Sequence, residues 1–254
     1  MRARRAALLV VVAFAASCLA ACGNPGWPSN WGGYVTTVSG LRSVSASWVQ
    51  PCVFSSDSNS WVSFWVGLDG LHNTTVEQIG TEADGSGQQA SCNAWFELYP
   101  APSQPIRMTV HPGDVMTATV SCIGSHRFTL SLVDGTTGAS FSTTQVAQKA
   151  TASCAEVIAE GPTEDGWALA DFDSVRFTRC ACNGLPLGSY HPEQITLVAK
   201  SHVEATTSRL STNGTSFAVT PFSTVASVSR FDVAAFAAPL RSGVLARRFS
   251  WLSD

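Results

Sequence analysis

Ala94-Trp95-Phe96-Glu97-Leu98-Tyr99-Pro100 reads as a strand whose two faces carry opposite chemistries. Ala94, Phe96 and Leu98 point one way, and Trp95, Glu97 and Tyr99 point the other. A solvated strand face is ordinarily built from Thr, Ser, Lys or Glu. Two large aromatics around a carboxylate are costly to leave in water, so this face reads either as the floor of a binding groove or as a cross-strand aromatic pair with a snorkelling Glu. Glu97 is thereby a candidate site residue.

The same short alternation continues on both sides, broken by turn residues and without a long amphipathic helix. Strands are predicted over 31–38, 43–49, 61–68, 75–80, 93–99, 107–111, 115–123, 127–133, 140–146, 155–160, 168–178, 194–199 and 216–220. Asp134-Gly135 and Asn213-Gly214 are turn signals between such runs. A single open sheet of this width would leave an apolar face in water, so the prediction is an all-β sandwich, jelly-roll or concanavalin-like, of two packed antiparallel sheets. It should occupy 30–220 as one domain of the 254 residues. From Pro221 the composition shifts to Ala, Phe, Val and Arg, and the tail 221–254 has no functional reading.

Charged residues make up 13% of the chain, about half the usual share of about 25%. Few ion pairs would be lost on protonation, which suits acidic surroundings. The basic residues are scattered, which argues against a nucleic-acid partner. Residues 1–21 combine Arg2, Arg4 and Arg5 with an apolar run and read as an export signal. Its end, Leu19-Ala20-Ala21-Cys22-Gly23, resembles a bacterial lipobox, with Cys22 as the lipidated residue and 22–29 as a short linker. A protein exported to the bacterial surface, held to the membrane by an N-terminal lipid and otherwise monomeric, is the expectation. Loss of residues 1–21 removes three of 15 basic residues and leaves 12 against 18 acidic ones, a formal charge of −6. Of eight cysteines, Cys52, Cys92, Cys122, Cys154, Cys180 and Cys182 remain once Cys18 and Cys22 are set aside. An even number in an exported chain predicts disulfides of unreadable connectivity, and the absence of Cys-x-x-Cys argues against zinc.

Several chemistries are missing. There is no Gly-x-Ser-x-Gly elbow, no His-Glu-x-x-His, no glycine-rich phosphate loop and no pair of Asp-Thr/Ser-Gly turns, and the five histidines are isolated from one another. No metal or cofactor is expected. Carboxylate and amide chemistry remains, in four segments: Asn30-Trp31-Gly32-Gly33-Tyr34; Trp65-Val66-Gly67-Leu68-Asp69-Gly70 leading to Glu77-Gln78-Ile79-Gly80; Ala94 to Pro100; and Ala155-Glu156-Val157-Ile158-Ala159-Glu160. In this order they resemble the glutamic peptidases of the eqolisin type, over residues 30 to about 220.

The resemblance implies an acid-acting endopeptidase on polypeptide substrates. It places the family's catalytic Gln on Gln78 and its catalytic Glu on Glu160. Periodicity alone puts Glu156 and Glu160 on one face and does not choose between them. Trp31, Trp65, Asp69, Trp95, Glu97 and Tyr99 match positions that line the family's groove or support its dyad, and Glu82 matches another acidic position. On this reading Glu160 is a general base for water, Gln78 supports the oxyanion, and no covalent intermediate forms. The sequence departs from the family at Gly161-Pro162 and in lacking a cysteine shortly before Gln78, near His72. The spacing from Cys22 to Asn30 leaves no room for a propeptide, so zymogen control is not expected. Two alternatives use the same residues: a jelly-roll glycoside hydrolase with Glu97 and Glu160 as its carboxylate pair, and a non-catalytic carbohydrate-binding surface module.

Overall fold

The computed structural model describes residues 30–54, 59–71, 73–86, 90–163, 165–199 and 202–222. The predicted export signal, Cys22, the linker 22–29 and residues 223–254 of the tail lie outside them. The strands are β1 (Trp31–Thr36), β2 (Ser43–Val49), β3 (Ser60–Asp69), β4 (Val76–Asp84), β5 (Ser91–Tyr99), β6 (Gln104–Ile106), β7 (Val115–Gly124), β8 (Arg127–Asp134), β9 (Ser140–Val146), β10 (Ala155–Glu160), β11 (Ala168–Leu169), β12 (Val175–Cys182), β13 (Leu185–Pro186), β14 (Glu193–Ile195), β15 (Leu197–Ala199), β16 (His202–Thr207) and β17 (Phe217–Pro221). One 3₁₀ turn, Leu187–Tyr190, interrupts them.

They form two sheets. The first runs β14-β1-β10-β3-β4-β5-β6 with β11 beside β3, and the second runs β15-β16-β17-β12-β2-β7-β8-β9 with β13 beside β12. All pairings are antiparallel except that of β11 with β3. The all-β sandwich is therefore the observed architecture. In the second sheet the alternation is simple: Met116, Ala118 and Val120 of β7 and Phe128, Leu130 and Leu132 of β8 are buried, while Thr117, Thr119, Thr129 and Ser131 between them are partly exposed. Facing them across the core are Phe64, Val66 and Leu68 of β3 and Ile79 and Ala83 of β4. Each such side chain removed from water contributes about 1.5–3 kcal/mol. A buried polar chain ties the layers together: Trp48 Nε1 donates to Thr81 Oγ1 (3.2 Å), and Thr81 Oγ1 donates to Gln50 Oε1 (2.6 Å).

The first sheet differs because β3 is buried on both faces along its whole length. Its outer face, turned away from the second sheet, carries a separate apolar cluster of Trp31, Val35, Trp65, Val76, Trp95, Ile158 and Ile195. That cluster positions the site.

Three expectations change. The strand predicted over 107–111 is replaced by β6, after which Met108 N bonds back to Ile106 O at 2.8 Å and turns the chain. The runs 168–178 and 194–199 both split, because β11 and β14 belong to the first sheet and β12 and β15 to the second, with Phe172 bridging to Val53 between β11 and β12. The expected disulfides are not formed: all six described cysteines are thiols. Cys154 lies in the outer cluster, whereas Cys180 and Cys182 project from one strand into the core between the sheets.

Candidate active site

Strand register assembles the predicted residues on the outer face. One row across the first sheet reads Trp31, Glu160, Ser63, Glu82, Asn93; the next same-face row reads Gly33, Ile158, Trp65, Gly80, Trp95; the third reads Val35, Glu156, Gly67, Gln78, Glu97. Tyr99 follows Glu97 two residues on, opposite Val76. The alternation that singled out Trp95, Glu97 and Tyr99 thus places them on one surface with Gln78 and Glu160.

Trp65 is the centre of this surface. Its indole N–H donates to Glu160 Oε2 at 2.9 Å, and its ring meets that of Trp31 edge-on with centroids 5.0 Å apart. The far edge of the indole lies over Gly67. A Cβ at Gly67 would stand 2.9 Å from Trp65 Cζ3, 3.3 Å from Gln78 Cβ and 3.4 Å from Glu156 Oε2. Glycine here leaves room for three side chains to converge. At Gly80 a Cβ would stand 2.2 Å from Phe64 O and 2.6 Å from Trp65 Cβ, so glycine also lets the Trp65 side chain lie against β4.

The two carboxylates of β10 have different surroundings. Glu160 Oε1 accepts from Asn30 Nδ2 at 2.8 Å while Oε2 accepts from Trp65, and both neighbours are donors, which suits an acceptor-only carboxylate. Asn30 also donates to Gly161 O at 3.1 Å, which fixes its own orientation. Glu156 is fully buried with the Cys154 thiol beside it, and burial pushes its carboxyl well above the ordinary range, with Asp69 and Glu77 adding to the rise. A carboxyl held neutral is no general base, so these environments favour Glu160 over Glu156, where periodicity was silent.

Gln78 Nε2 donates to Glu97 Oε2 at 2.5 Å. Burial pushes the Glu97 carboxyl up to about 8; the Gln78 hydrogen bond lowers it and the nearby Glu160 raises it. Gln78 is 3% exposed, Glu97 0% and Glu160 6%, so the polar groups lie in a setting where an oriented dipole acts far more strongly than in water. Glu77 alternates with Gln78 and sits on the other face. Burial pushes it up to about 9, with the Asp69 charge acting in the same direction.

Asp69 does not line the groove. It is fully buried, and its carboxylate accepts from the backbone N–H groups of Thr151, Ala152 and Ser153 at 2.7, 2.8 and 2.7 Å and from the Ser153 hydroxyl at 2.8 Å. Burial alone would raise its pKa, and these hydrogen bonds overcome that and hold it below the ordinary value. Asp69 anchors the segment leading into β10, which supports Glu160 from a distance. A cavity of about 640 Å³ opens beside Tyr99, lined by Phe96, Leu98, Gln104, Gln145 and Lys149. Phe96 and Leu98 belong to the opposite face of β5, so this cavity lies apart from Gln78 and Glu160. Among the described residues no cluster of three or more His, Cys, Asp or Glu is placed to hold a metal ion.

Asn30 and Glu77 carry structure that the site prediction did not assign. Asn30 begins the segment Asn30-Trp31-Gly32-Gly33-Tyr34, and its pairing with Gly161 across β1 and β10 is the signal that register supplies. Nothing in the sequence marks Glu77 as buried beyond its place next to Gln78.

The family model described as the Peptidase A4 family matches residues 29–221. Aspergillopepsin-2 of Aspergillus niger is 29% identical over 182 residues, 61% of this chain and 64% of that protein, so the chain spans just under two thirds of that relative. Scytalido-glutamic peptidase, solved with a transition state analog inhibitor, superposes with a TM-score of 0.66 at 23% identity, covering 76% of this chain and 98% of that one. SCP-B, an eqolisin solved with the tripeptide Ala-Ile-His, gives 0.61 at 23% identity, covering 76% and 98%. Aspergilloglutamic peptidase from Aspergillus niger gives 0.57 at 28% identity, covering 64% and 99%.

Proposed function

The chain belongs to the peptidase A4 family, and on that premise we propose that it is an acid-acting glutamic endopeptidase that hydrolyses polypeptides through Glu160 and Gln78. The observation that carries the reading is the face on which both residues flank Trp65, with Glu160 held by two N–H donors and Gln78 held by Glu97. Ionised Glu160 takes a proton from a water as that water's oxygen bonds to the scissile carbonyl carbon. The carbonyl oxygen becomes an oxyanion, to which the Gln78 amide donates. Collapse of the tetrahedral intermediate re-forms the carbonyl, breaks the C–N bond and sends the Glu160 proton to the leaving amine. Both products leave without a bond to the protein.

Trp31, Trp65 and Trp95 form the buried apolar base under the proposed site, with the partly exposed Tyr99 beside it as the ring an extended peptide would meet, and Glu97 acts on Gln78 instead of serving as an independent acid. A glycosidase reading needs Glu97 and Glu160 to work as a pair across an open cleft, and the engagement of Glu97 with Gln78 counts against it. Export with lipid attachment at Cys22 and action as a monomer at the cell surface complete the proposal. The test is digestion of a denatured protein from about pH 2 to 7 with mass spectrometry of the fragments. Internal cleavage at acid pH, undiminished by chelators and serine-directed reagents, is expected; absence of cleavage throughout, or inhibition by a chelator, would overturn the reading.

A further inference from the structure

Two polar atoms at the centre of the outer face lack a hydrogen-bond partner, and they belong to one interacting pair. Gln78 Oε1 and Glu97 Oε1 are both buried and unbonded, while Gln78 Nε2 and Glu97 Oε2 meet at 2.5 Å. Register sets the two side chains directly opposite each other on β4 and β5, so they cannot drift apart without breaking the pairing of these two strands. An amide can present either end. With its nitrogen on Glu97, as observed, Gln78 complements a carboxylate and turns its carbonyl oxygen elsewhere. A half-turn about Cγ–Cδ would bring Gln78 Oε1 to Glu97, where it can be bonded only if Glu97 carries a proton to donate.

We propose that Glu97 is a positioning residue whose proton decides which end of the Gln78 amide faces the substrate: the neutral acid donates to Oε1 and frees the N–H groups for the oxyanion, and the carboxylate captures Nε2. This rests on the peptidase reading above. Glu97 gains and loses one solvent proton in the exchange, and no other bond changes. The groups around it permit the neutral form. Gln78 faces it from β4, with Glu82 further along that strand; Glu160 and Glu156 face from β10, Asp69 stands at the end of β3, and Tyr99 lies beside it on β5. None of these is a cation, and burial with Glu160 nearby already favours the protonated state. The device makes the oxyanion donor available at acid pH and withdraws it as pH rises.

Two measurements on the full chain test this. In the first, kcat/KM on an extended peptide is followed from pH 3 to 9 for the protein and for Glu97→Gln, whose amide can donate to Gln78 Oε1 at every pH. The unsubstituted protein should lose about tenfold per pH unit beyond the Glu97 titration, whereas Glu97→Gln, slower at acid pH, should show no such limb. In the second, the Gln78 side-chain ¹⁵N–H resonances, assigned by their loss in Gln78→Ala, are titrated over the same range. They should shift with one proton near pH 8 and stay fixed in Glu97→Gln. Parallel pH profiles, or Gln78 resonances that do not respond, would overturn the proposal. If no peptide is cleaved at any pH, the peptidase reading fails while the amide titration still decides the switch. If Glu97→Gln does not fold, the titration of the unsubstituted protein decides alone.

Discussion

At the scale of single residues the site separates groups that do chemistry from groups that hold them. Asn30 and Trp65 each donate one hydrogen bond to Glu160, so their loss should disturb the proposed base without removing it. Trp65→Phe keeps the ring against Trp31 and removes the N–H. A charge-assisted hydrogen bond is worth about 1.5–3 kcal/mol, and kcat should fall about 10- to 100-fold with KM little changed, as steady-state kinetics on an extended peptide would read. Asp69 is a support of another kind. Asp69→Asn replaces an acceptor-only carboxylate by an amide that cannot satisfy three backbone donors, and stability should fall by about 1–3 kcal/mol in urea denaturation. The resemblance left Asp69 either lining the groove or supporting the dyad; a φ of 72° at the end of β3 and the donors of 151–153 hold its carboxylate in a buried anchoring position.

The elements explain how much of this was legible. Period-two alternation placed Trp95, Glu97 and Tyr99 on one face correctly, because side-chain direction along a strand is a local property. It placed Glu156 and Glu160 together and went no further. What distinguishes them is which neighbour each meets across β1 and β3, and pairing between distant strands leaves no periodic trace. The division of 168–178 was hidden for the same reason: the segment keeps its extended form while changing sheets, so nothing in its own pattern marks the crossing. Glu82 and the Gly161-Pro162 departure leave the row of Glu160 intact, since Gly161 N still bonds to Asn30 O at 3.0 Å. The hairpin of β3 and β4 offers a direct test of glycine as a spacer. Gly80→Ala meets a backbone oxygen at 2.2 Å and should destabilise the protein by more than about 2 kcal/mol, whereas Gly67→Ala meets only side chains and should lower activity more than stability. Thermal melts and kinetics of the two variants, side by side, would show it.

For the whole molecule the buried carboxyls set a direction with pH. Glu77 and Glu97 stay protonated in the folded state up to about 9 and about 8, against an ordinary value of 4.5 once the chain unfolds. Below that value both states carry the protons and the contribution to stability is complete. Above it the unfolded chain releases them first, so stability falls as pH rises towards the folded-state values, by about 1.4 kcal/mol per pH unit for each group. Asp69 acts oppositely: its lowered folded-state pKa adds stability above the unfolded value, lost as pH falls through the folded one. Calorimetric melting temperatures should therefore be highest near pH 4–5 and decline steadily to pH 8, and a flat or rising series over that interval would contradict these assignments. A fold most stable in acid agrees with a low content of charged residues, 13%, and with chemistry proposed to work there.

On the proposed mechanism Glu160 is the base and Gln78 its oxyanion partner. Its most direct measurement is kcat/KM at pH 3–4 on an extended peptide for the protein, Glu160→Gln, Gln78→Ala and Glu156→Gln, each first shown to be folded by circular dichroism. Losses of about 10³-fold or more for Glu160→Gln and about 10²- to 10³-fold for Gln78→Ala are predicted, with Glu156→Gln losing far less. Acid activity that survives Glu160→Gln and disappears with Glu156→Gln would contradict the account.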